Sequence, residues 1–162
     1  MNVRFRSQTN DDVDFLRELY VSTRWEELAP IIDWTEAQKH AFLESQFAAQ
    51  WRHYQSAYHD AEFQIVLLHD HEAGRFYLHR GESDWRVVDI SLLPEHRNQG
   101  VGTAILSSLI QQADAAGIKV SIHVETFNRA RRLYQRLGFC IVSQNGPYDL
   151  MERPHASAAP TP

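Results

Sequence analysis

Apolar and polar positions alternate along this chain with two different periods. Residues 3–6 alternate apolar with charged side chains, which predicts a half-buried strand. Thr9 with Asp12 has the pattern of a capping box, and the apolar residues that follow recur at helical spacing as far as about Arg24. The segment therefore predicts a strand and then an amphipathic helix that begins near Asn10.

A second helix is predicted by the same pair of signals. Thr35 and Gln38 form another capping-box pattern after Pro30. The large side chains that then recur every three or four residues are leucine or aromatic: Leu43, Phe47, Trp51, Tyr54 and Tyr58. Such aromatic stripes usually bury apolar side-chain surface against the rest of the protein, so core packing is favoured over a substrate-binding surface.

Three predicted strands follow, at residues 63–68, 76–78 and 85–93. Between the first two, the polar residues 69–72 suit a hairpin connection. Their alternative role is a metal site, because His and Asp side chains bind zinc. Four adjacent loop residues do not easily converge on one ion, so a solvated turn is the favoured interpretation.

The second half of the chain is predicted to hold a helix, a strand, a helix and two short strands. These lie at residues 104–116, 120–124, 128–137, 139–142 and 148–151. Gly117 and Gly138 suit the left-handed residue that ends a helix. The predicted order is one strand, two helices, three strands, a helix, a strand, a helix and two strands.

Composition narrows the class of protein. The 162 residues are the size of one domain, and 43% hydrophobic with 23% charged residues is a globular balance. Cys140 is the only cysteine, which excludes an intramolecular disulfide, and residues 1–6 lack a signal-peptide stretch, so a cytoplasmic protein is expected. Apolar runs are too short to cross a bilayer, and a net charge of -5 without a basic stripe makes membrane and nucleic-acid partners unexpected.

The candidate chemistry lies where the strand at 85–93 passes through a glycine-containing loop into a helix. The first N–H groups of a helix have no internal partner and carry partial positive charge, so they bind anions. Gly100 and Gly102 leave room for a ligand, Arg97 adds positive charge and Thr103 adds a hydroxyl. A phosphate or pyrophosphate is the expected ligand, although glycines at such a junction also serve turns that bind nothing.

Two motifs carry a resemblance to a known family. Residues 92–102, Leu-Leu-Pro-Glu-His-Arg-Asn-Gln-Gly-Val-Gly, resemble the Arg/Gln-x-x-Gly-x-Gly/Ala motif of the GNAT acetyltransferases, with Leu92 where valine is usual. Residues 128–139 resemble the second hallmark of that family, an Asn-led helix that contains Leu-Tyr and ends in Leu-Gly-Phe. The resemblance is close over residues 86–153, whereas residues 1–80 fit only in the order of their elements.

The resemblance implies an α/β (α+β) fold with a mixed, mostly antiparallel central sheet of about seven strands and about four flanking helices. It implies a sheet splayed between its fourth and fifth strands, with acetyl-CoA lodged in the opening. On this basis residues 1–153 are expected to form a single GNAT domain, and residues 154–162 a flexible C-terminal tail. No metal is expected.

The resemblance also implies which residues contact the cofactor. The backbone of Leu92 would pair with the pantetheine arm, the loop 97–103 would wrap the pyrophosphate, and Asn128 would contact pantetheine. The implied cofactor-binding residues are Leu92, Leu93, Arg97, Asn98, Gln99, Gly100, Val101, Gly102, Thr103, Asn128 and Arg131. For Arg131 an exposed helix face is an equal explanation.

Tyr134 and Asp89 are the catalytic candidates. Tyr134 corresponds to the tyrosine that gives a proton to the departing CoA thiolate in many family members, and it also fits a buried aromatic. Asp89 would orient or deprotonate the acceptor, or simply hydrogen-bond a neighbouring segment; His123 and Glu125 are weaker candidates. Cys140 is expected to be buried rather than nucleophilic, which favours direct transfer in a ternary complex.

The sequence thus predicts an N-acetyltransferase that acts on an amine. The alternatives are a non-catalytic acyl-CoA-binding regulatory or partner-binding module, and a metal-dependent enzyme built on residues such as His69 and His71. A small amine, an antibiotic, an amino acid and a protein N-terminus all remain open as acceptors, and the resemblance allows a homodimer. The residues expected to line the acceptor pocket include Trp25, Pro30, Trp34 and Tyr54.

Overall fold

A computed structural model describes residues 1–156 and places seven strands and four α-helices within them. The strands are β1 (Val3–Ser7), β2 (Glu62–Leu68), β3 (His71–Arg80), β4 (Asp84–Leu92), β5 (Lys119–Glu125), β6 (Cys140–Asn145) and β7 (Tyr148–Arg153). The helices are α1 (Val13–Arg24), α2 (Glu36–Ala57), α3 (Val101–Ala116) and α4 (Arg131–Arg136), with short 3₁₀ turns at Asn10–Asp12, Trp25–Leu28 and Pro94–His96. The predicted order of elements is confirmed.

The strands form one mixed sheet in the order β1-β2-β3-β4-β5-β7-β6. The ladders of β1 with β2, β5 with β7 and β6 with β7 are antiparallel, whereas β4 and β5 are parallel. The β4–β5 register runs only from Asp84 opposite Lys119 to Val87 opposite Ile122, although both strands continue beyond it. The mostly antiparallel sheet and its separation between the fourth and fifth strands are therefore confirmed.

The chain divides into two compact units, of which the first comprises Met1–Phe76 and Ile90–Gln99. Its core forms where α1 and α2 pack on β2, with Leu16, Leu43 and Ile65 almost fully buried. Asp12 completes the predicted capping box, because its Oδ2 accepts from the Thr9 N–H at 2.8 Å. A hydrogen bond from Arg6 at 2.7 Å holds the pKa of Asp12 below its usual value, so this buried carboxylate is charged.

The second unit comprises Tyr77–Asp89 and the chain from Gly100 onward. One face of α3 packs against β5, burying side chains such as Leu106 and Val120. Gly117 ends α3 with a φ of 69°, and its N–H donates to the carbonyls of Ala113 and Asp114. The predicted role of this glycine is thus confirmed.

The connection between β2 and β3 is shorter than predicted. His71 and Glu72 belong to β3, which leaves His69 and Asp70 as the turn. Both turn residues have positive φ, 52° and 67°, as the central residues of a tight type I′ hairpin turn do. The predicted four-residue connection is therefore too long, because two residues with left-handed backbone are sufficient to reverse the chain.

Two further predictions in the second unit need correction. α4 begins at Arg131 rather than Asn128, because the Asn128 side chain accepts from the Ala130 N–H at 2.9 Å and forms a local turn instead. The predicted burial of Cys140 is wrong, because β6 lies at the end of the sheet and each of its six residues is exposed. A strand covered on neither face cannot bury its first residue.

The C-terminal segment is described as far as Ala156, whose N–H donates to Asp114 Oδ1 at 2.9 Å. Residues 157–162 of the predicted tail lie outside the described residues, and the single-domain organisation stays a prediction. Across residues 1–156, no helix combines the length and the apolar character needed to cross a membrane.

Candidate active site

The N-terminus of α3 is open. Gly100 is its N-cap residue, with a φ of 83°, and no side chain caps the helix there. The first turn holds no acidic residue, and a Cβ added at Gly102 would meet only Leu133 Cδ2, at 3.6 Å. Since these amides point out of an uncapped helix end and Gly102 has no side chain to cover them, the arrangement can bind an anion.

The loop that leads into α3 is held by its own side chains. Arg97 Nε donates to the Leu92 carbonyl at 2.9 Å, and a second guanidinium nitrogen lies 3.4 Å from Ser22 Oγ. The Leu93 N–H donates to the Ala73 carbonyl at 2.8 Å. Arg97 therefore fixes the end of β4 in this structure, and its contact with a phosphate stays a prediction.

The middle of the loop has a left-handed backbone. Asn98 has a φ of 58°, and the Gln99 side-chain amide donates to the Glu95 carbonyl at 2.8 Å. Asn98, Gln99 and Gly100 are exposed, whereas Val101, the first residue of α3, is buried. The loop thus presents its backbone, and not a side-chain cluster, at the helix start.

Tyr134 lies on α4 with only 5% of its surface exposed, and its ring packs on Phe139 at 5.9 Å between centroids. Burial, and secondly the negative charge of Asp89, raise the pKa of Tyr134 to about 12. Within the described chain no residue hydrogen-bonds to its hydroxyl. The structure thus brings the two catalytic candidates within electrostatic range, and the phenol is protonated at neutral pH.

Asn128 and Arg131 make contacts within their own unit. The Asn128 side chain is exposed, and its carbonyl oxygen forms the turn before α4. Arg131 donates to the Thr126 carbonyl at 2.7 Å and forms an ion pair with Asp149 at 3.3 Å, a carboxylate that is almost fully buried. Arg131 therefore ties α4 to β7, and its contact with a cofactor stays a prediction.

The family follows from a match over most of the chain. The family model described as "Acetyltransferase (GNAT) family" matches residues 25–139, which include the open helix end and Tyr134. The chain belongs to the GNAT acetyltransferase family. Comparison with curated protein sequences gives no significant match.

Solved structures show the same fold for this GNAT protein. The PaiA N-acetyltransferase from Thermoplasma acidophilum, solved in complex with coenzyme A, is 17% identical with a TM-score of 0.70, and the alignment covers 96% of this chain and 100% of that one. An acetyltransferase from Thermus thermophilus is 19% identical with a TM-score of 0.65, covering 95% and 97%. A GNAT-family acetyltransferase from Streptococcus pneumoniae is 20% identical with a TM-score of 0.58, covering 96% and 100%.

His123, a weaker candidate base, lies in a polar network that the sequence did not reveal. Arg86 lies 3.0 Å from His123 Nδ1 and donates to Ser121 Oγ at 2.6 Å, and Ser121 donates to Asp84 at 2.7 Å. Burial, and then the charge of Arg86, lower the pKa of His123. The network joins β4 to β5 where they pair, and so it stabilises the parallel pair of strands in this GNAT protein.

A cavity of about 490 Å³ lies beside α4 in the second unit. Its lining contains three arginines and no acidic residue: Thr126, Phe127, Asn128, Arg129, Arg131, Arg132 and Gln135. The sequence motif included Asn128 and Arg131 but did not single out Phe127, whose side chain is 97% exposed. The cavity thus combines guanidinium groups with an exposed aromatic ring.

Of the residues expected at the acceptor pocket, the three aromatic ones belong to three separate ring pairs, and Pro30 lies in the chain between Trp25 and Trp34. Trp25 packs on His40 at 4.6 Å, Trp34 on Phe42 at 5.3 Å and Tyr54 on Tyr58 at 6.2 Å between ring centroids. Trp34 and Phe42 are exposed, with Ile32 nearby in the sequence also 86% exposed. The acceptor lining stays a prediction.

The metal alternative gains no support from the geometry. His69 lies in the β2–β3 turn, and His71 begins β3. Over residues 1–156, no group of three or more His, Cys, Asp or Glu side chains is arranged to hold a metal ion.

Proposed function

We propose that this GNAT protein is an N-acetyltransferase that moves the acetyl group of acetyl-CoA to an amine by direct transfer in a ternary complex. The observation that carries the proposal is the uncapped N-terminus of α3 at Gly100, in the same unit as a protonated Tyr134. Family membership supports the reaction class. The coenzyme A complex of the related PaiA structure supports the cofactor.

The residues of α3 fit a diphosphate. The amides of Val101, Gly102 and Thr103 have no side-chain acceptor at the helix cap, and Gly102 leaves their approach open. Partial positive charge at a helix N-terminus favours a doubly charged group over a neutral one. These three residues would hold the diphosphate of acetyl-CoA, and Asn128 would contact its pantetheine arm.

Two proton transfers accompany the reaction. Acetyl-CoA supplies a thioester; the amine nitrogen forms the new C–N bond as the C–S bond breaks. The amine loses one proton, which Asp89 accepts, and the departing sulfur gains one, which Tyr134 donates. The products are the acetylated amine and the free thiol of coenzyme A, and solvent returns both side chains to their starting protonation.

Replacing Tyr134 with Phe tests the proposal, because the ring that packs on Phe139 is kept and only the proton is lost. We expect turnover to fall on the order of 10²–10⁴-fold, the usual contribution of a general acid, with little change in acetyl-CoA affinity. Turnover is measured by thiol release against a panel of amines, and affinity by calorimetry.

Tyr148→Phe is the matched control, because it removes a phenol that is 43% exposed on β7. It should keep full activity. An unchanged turnover in Tyr134→Phe, or a parallel loss of turnover and affinity, contradicts the acid role. A wild-type protein that binds acetyl-CoA but releases no thiol with any amine is instead the non-catalytic acyl-CoA-binding module.

A further inference from the structure

The helix α4 is short and carries Tyr134 near its centre. It comprises the six residues Arg131–Arg136, and its N-cap residue, Ala130, provides no side-chain cap. A helix of this length is not stable by itself, since isolated helices shorter than about 12–15 residues are marginal in water. The position of Tyr134 therefore depends on the contacts that hold α4 from outside.

The hydroxyl of Tyr134 is not held in place directly. No residue of the described chain hydrogen-bonds to it, and the ring packs on Phe139 at 5.9 Å between centroids. The backbone of Tyr134 is tied instead, because its N–H donates to the Ala130 carbonyl and its carbonyl accepts from the Phe139 N–H, both at 3.0 Å. A shift of α4 against the sheet would therefore carry the hydroxyl with it.

The strand β7 holds the first residue of α4. Asp149, on β7, has only 3% of its side chain exposed, and its Oδ2 lies 3.3 Å from Arg131 Nη2. That oxygen accepts no hydrogen bond from residues 1–156, so the charge of Arg131 is what offsets its removal from water. Arg131 Nη1 donates to the Thr126 carbonyl at 2.7 Å. These two contacts fix the start of α4 relative to β7.

The same strand holds the end of α4. Arg153 Nε donates to the carbonyl of Leu137, the C-cap residue, at 3.0 Å. Arg153 Nη1 donates to Asp114 Oδ1 of α3 at 2.8 Å. Arg153 is therefore anchored to α3 while it binds the carbonyl that closes α4.

Asp149 and Arg153 together form what we call the β7 clamp. Side chains alternate along a strand, so these two residues, four apart, lie on one face of β7. Four steps of strand span about 13 Å and the six from Arg131 to Leu137 span about 9 Å of helix, so one strand reaches both ends of α4. We infer that Asp149 and Arg153 are positioning residues that keep the Tyr134 hydroxyl in place for the leaving sulfur, an inference that rests on the proposed function.

The test is a double-mutant cycle between Asp149→Asn and Tyr134→Phe on the full chain. Asp149→Asn keeps the shape of the side chain and removes the charge that pairs with Arg131. We expect turnover to fall about ten-fold, since a misplacement of about 1 Å can cost about 100-fold, with the KM for acetyl-CoA within about two-fold of wild type. In the Tyr134→Phe background the same change should lower turnover by less than about two-fold, because no proton donor is left to misplace.

Arg153→Met tests the other end of the β7 clamp independently. The variant keeps the aliphatic part of the side chain and removes the donor to the Leu137 carbonyl. Its turnover should fall in the same way, again only where Tyr134 is present. Turnover is the rate of thiol release from acetyl-CoA with the amine that reacts fastest with the wild type. It is measured below the melting temperature of each variant, so that a loss of folded protein is not counted.

Glu152→Gln is the matched control, because Glu152 is the neighbour of Arg153 on β7 and has an ion pair of its own, with Lys119 at 2.8 Å. Alternation along the strand places it on the other face from the β7 clamp, so its turnover should match wild type.

Three results would overturn the β7 clamp and leave the proposed function intact, provided that Tyr134→Phe itself is slow. The first is unchanged turnover in both clamp variants. The second is an equal fold-loss with and without the Tyr134 hydroxyl, which assigns the contacts to folding alone. The third is a loss confined to the KM for acetyl-CoA. If Tyr134→Phe is as active as wild type, the acid role in the proposed function fails, and the positioning role fails with it.

Discussion

The helices α2 and α3 begin in opposite ways. At α2, the Thr35 hydroxyl accepts from the Gln38 N–H at 3.1 Å and the Gln38 side chain accepts from the Thr35 N–H at 2.8 Å, with Glu36 adding negative charge. At α3, the cap is Gly100, without a side-chain cap or an acidic residue in the first turn. The first amides of α2 are thus satisfied by its own side chains, whereas those of α3 have no side-chain partner and are proposed to bind a ligand.

This difference has a cost in stability. A glycine at the N-cap is only roughly a few tenths of a kcal/mol less favourable than a capping side chain, whereas a glycine within a helix is about 1 kcal/mol less favourable than alanine. In α3 the first cost falls at Gly100 and the second at Gly102. A small amount of stability is therefore given up at the helix start that the first GNAT motif, residues 92–102, includes, which is expected of a binding site.

The largest effect should come from Gly102→Val. The position has room for a side chain, since only Leu133 lies within 4 Å of an added Cβ, so the fold should be kept. The new methyl groups would cover the α3 amides, and we expect coenzyme A affinity to drop about 100-fold, or about 2.7 kcal/mol. Calorimetry measures the affinity and thermal melting the stability.

The other end of the same helix provides the control. Gly117 has a φ of 69° with nothing within 4 Å of an added Cβ. Gly117→Ala should cost about 1 kcal/mol of stability, because a left-handed backbone disfavours a side chain, and should leave coenzyme A affinity unchanged. Normal binding by Gly102→Val, or an equal loss in both variants, would remove the anion site from α3.

Thr103→Glu should change coenzyme A affinity less than Gly102→Val does. It should raise the stability of the protein while it lowers coenzyme A affinity. Thr103 occupies in α3 the third helical position that Gln38 occupies in α2. A carboxylate there should stabilise the helix by about 0.5 kcal/mol through its dipole but weaken coenzyme A binding about ten-fold by repelling the diphosphate.

Thr103→Gln keeps the length of the new side chain and omits its charge, so it should lose much less affinity. Raising the salt concentration should reduce the difference between the two variants. If Thr103→Glu bound coenzyme A as tightly as Thr103→Gln, the negative charge of the ligand could not lie at this helix start.

The smallest effect on binding should come from α2. Thr35→Ala removes one half of the capping box and should lower the free energy of unfolding by about 1 kcal/mol, measured by urea titration. Coenzyme A affinity should stay within about two-fold of wild type, because these amides serve only the helix. Thr35→Ser retains the hydroxyl and should restore the stability. A loss of affinity as large as that of Gly102→Val would erase the contrast between the two helix starts.

The features that could be predicted from the sequence depend on neighbours a few residues apart. The capping boxes at Thr9 and Thr35 each join positions three residues apart, and Gly117 acts on the helix immediately before it. The order of elements and the loop around Gly100 belong to this group. Local chemistry specifies them, so a periodic pattern is sufficient to find them.

The features that could not be predicted depend on which strands are neighbours. β7 lies between β5 and β6, which places Asp149 opposite Val124 and lets Arg131 reach it. The same order leaves β6 at the edge, so Cys140 is exposed although an apolar pattern surrounds it. Arg97 similarly binds a backbone carbonyl that no spacing rule indicates. Long-range pairing decides these contacts.

The exposure of Cys140 has a practical consequence for enzymology. A colorimetric thiol reagent that follows coenzyme A release will also modify this accessible side chain, giving a background of one equivalent per chain. The same reactivity is useful, because a maleimide dye attaches at a single place without mutagenesis. A fluorophore on the outermost strand then reports tumbling and self-association of the unaltered protein.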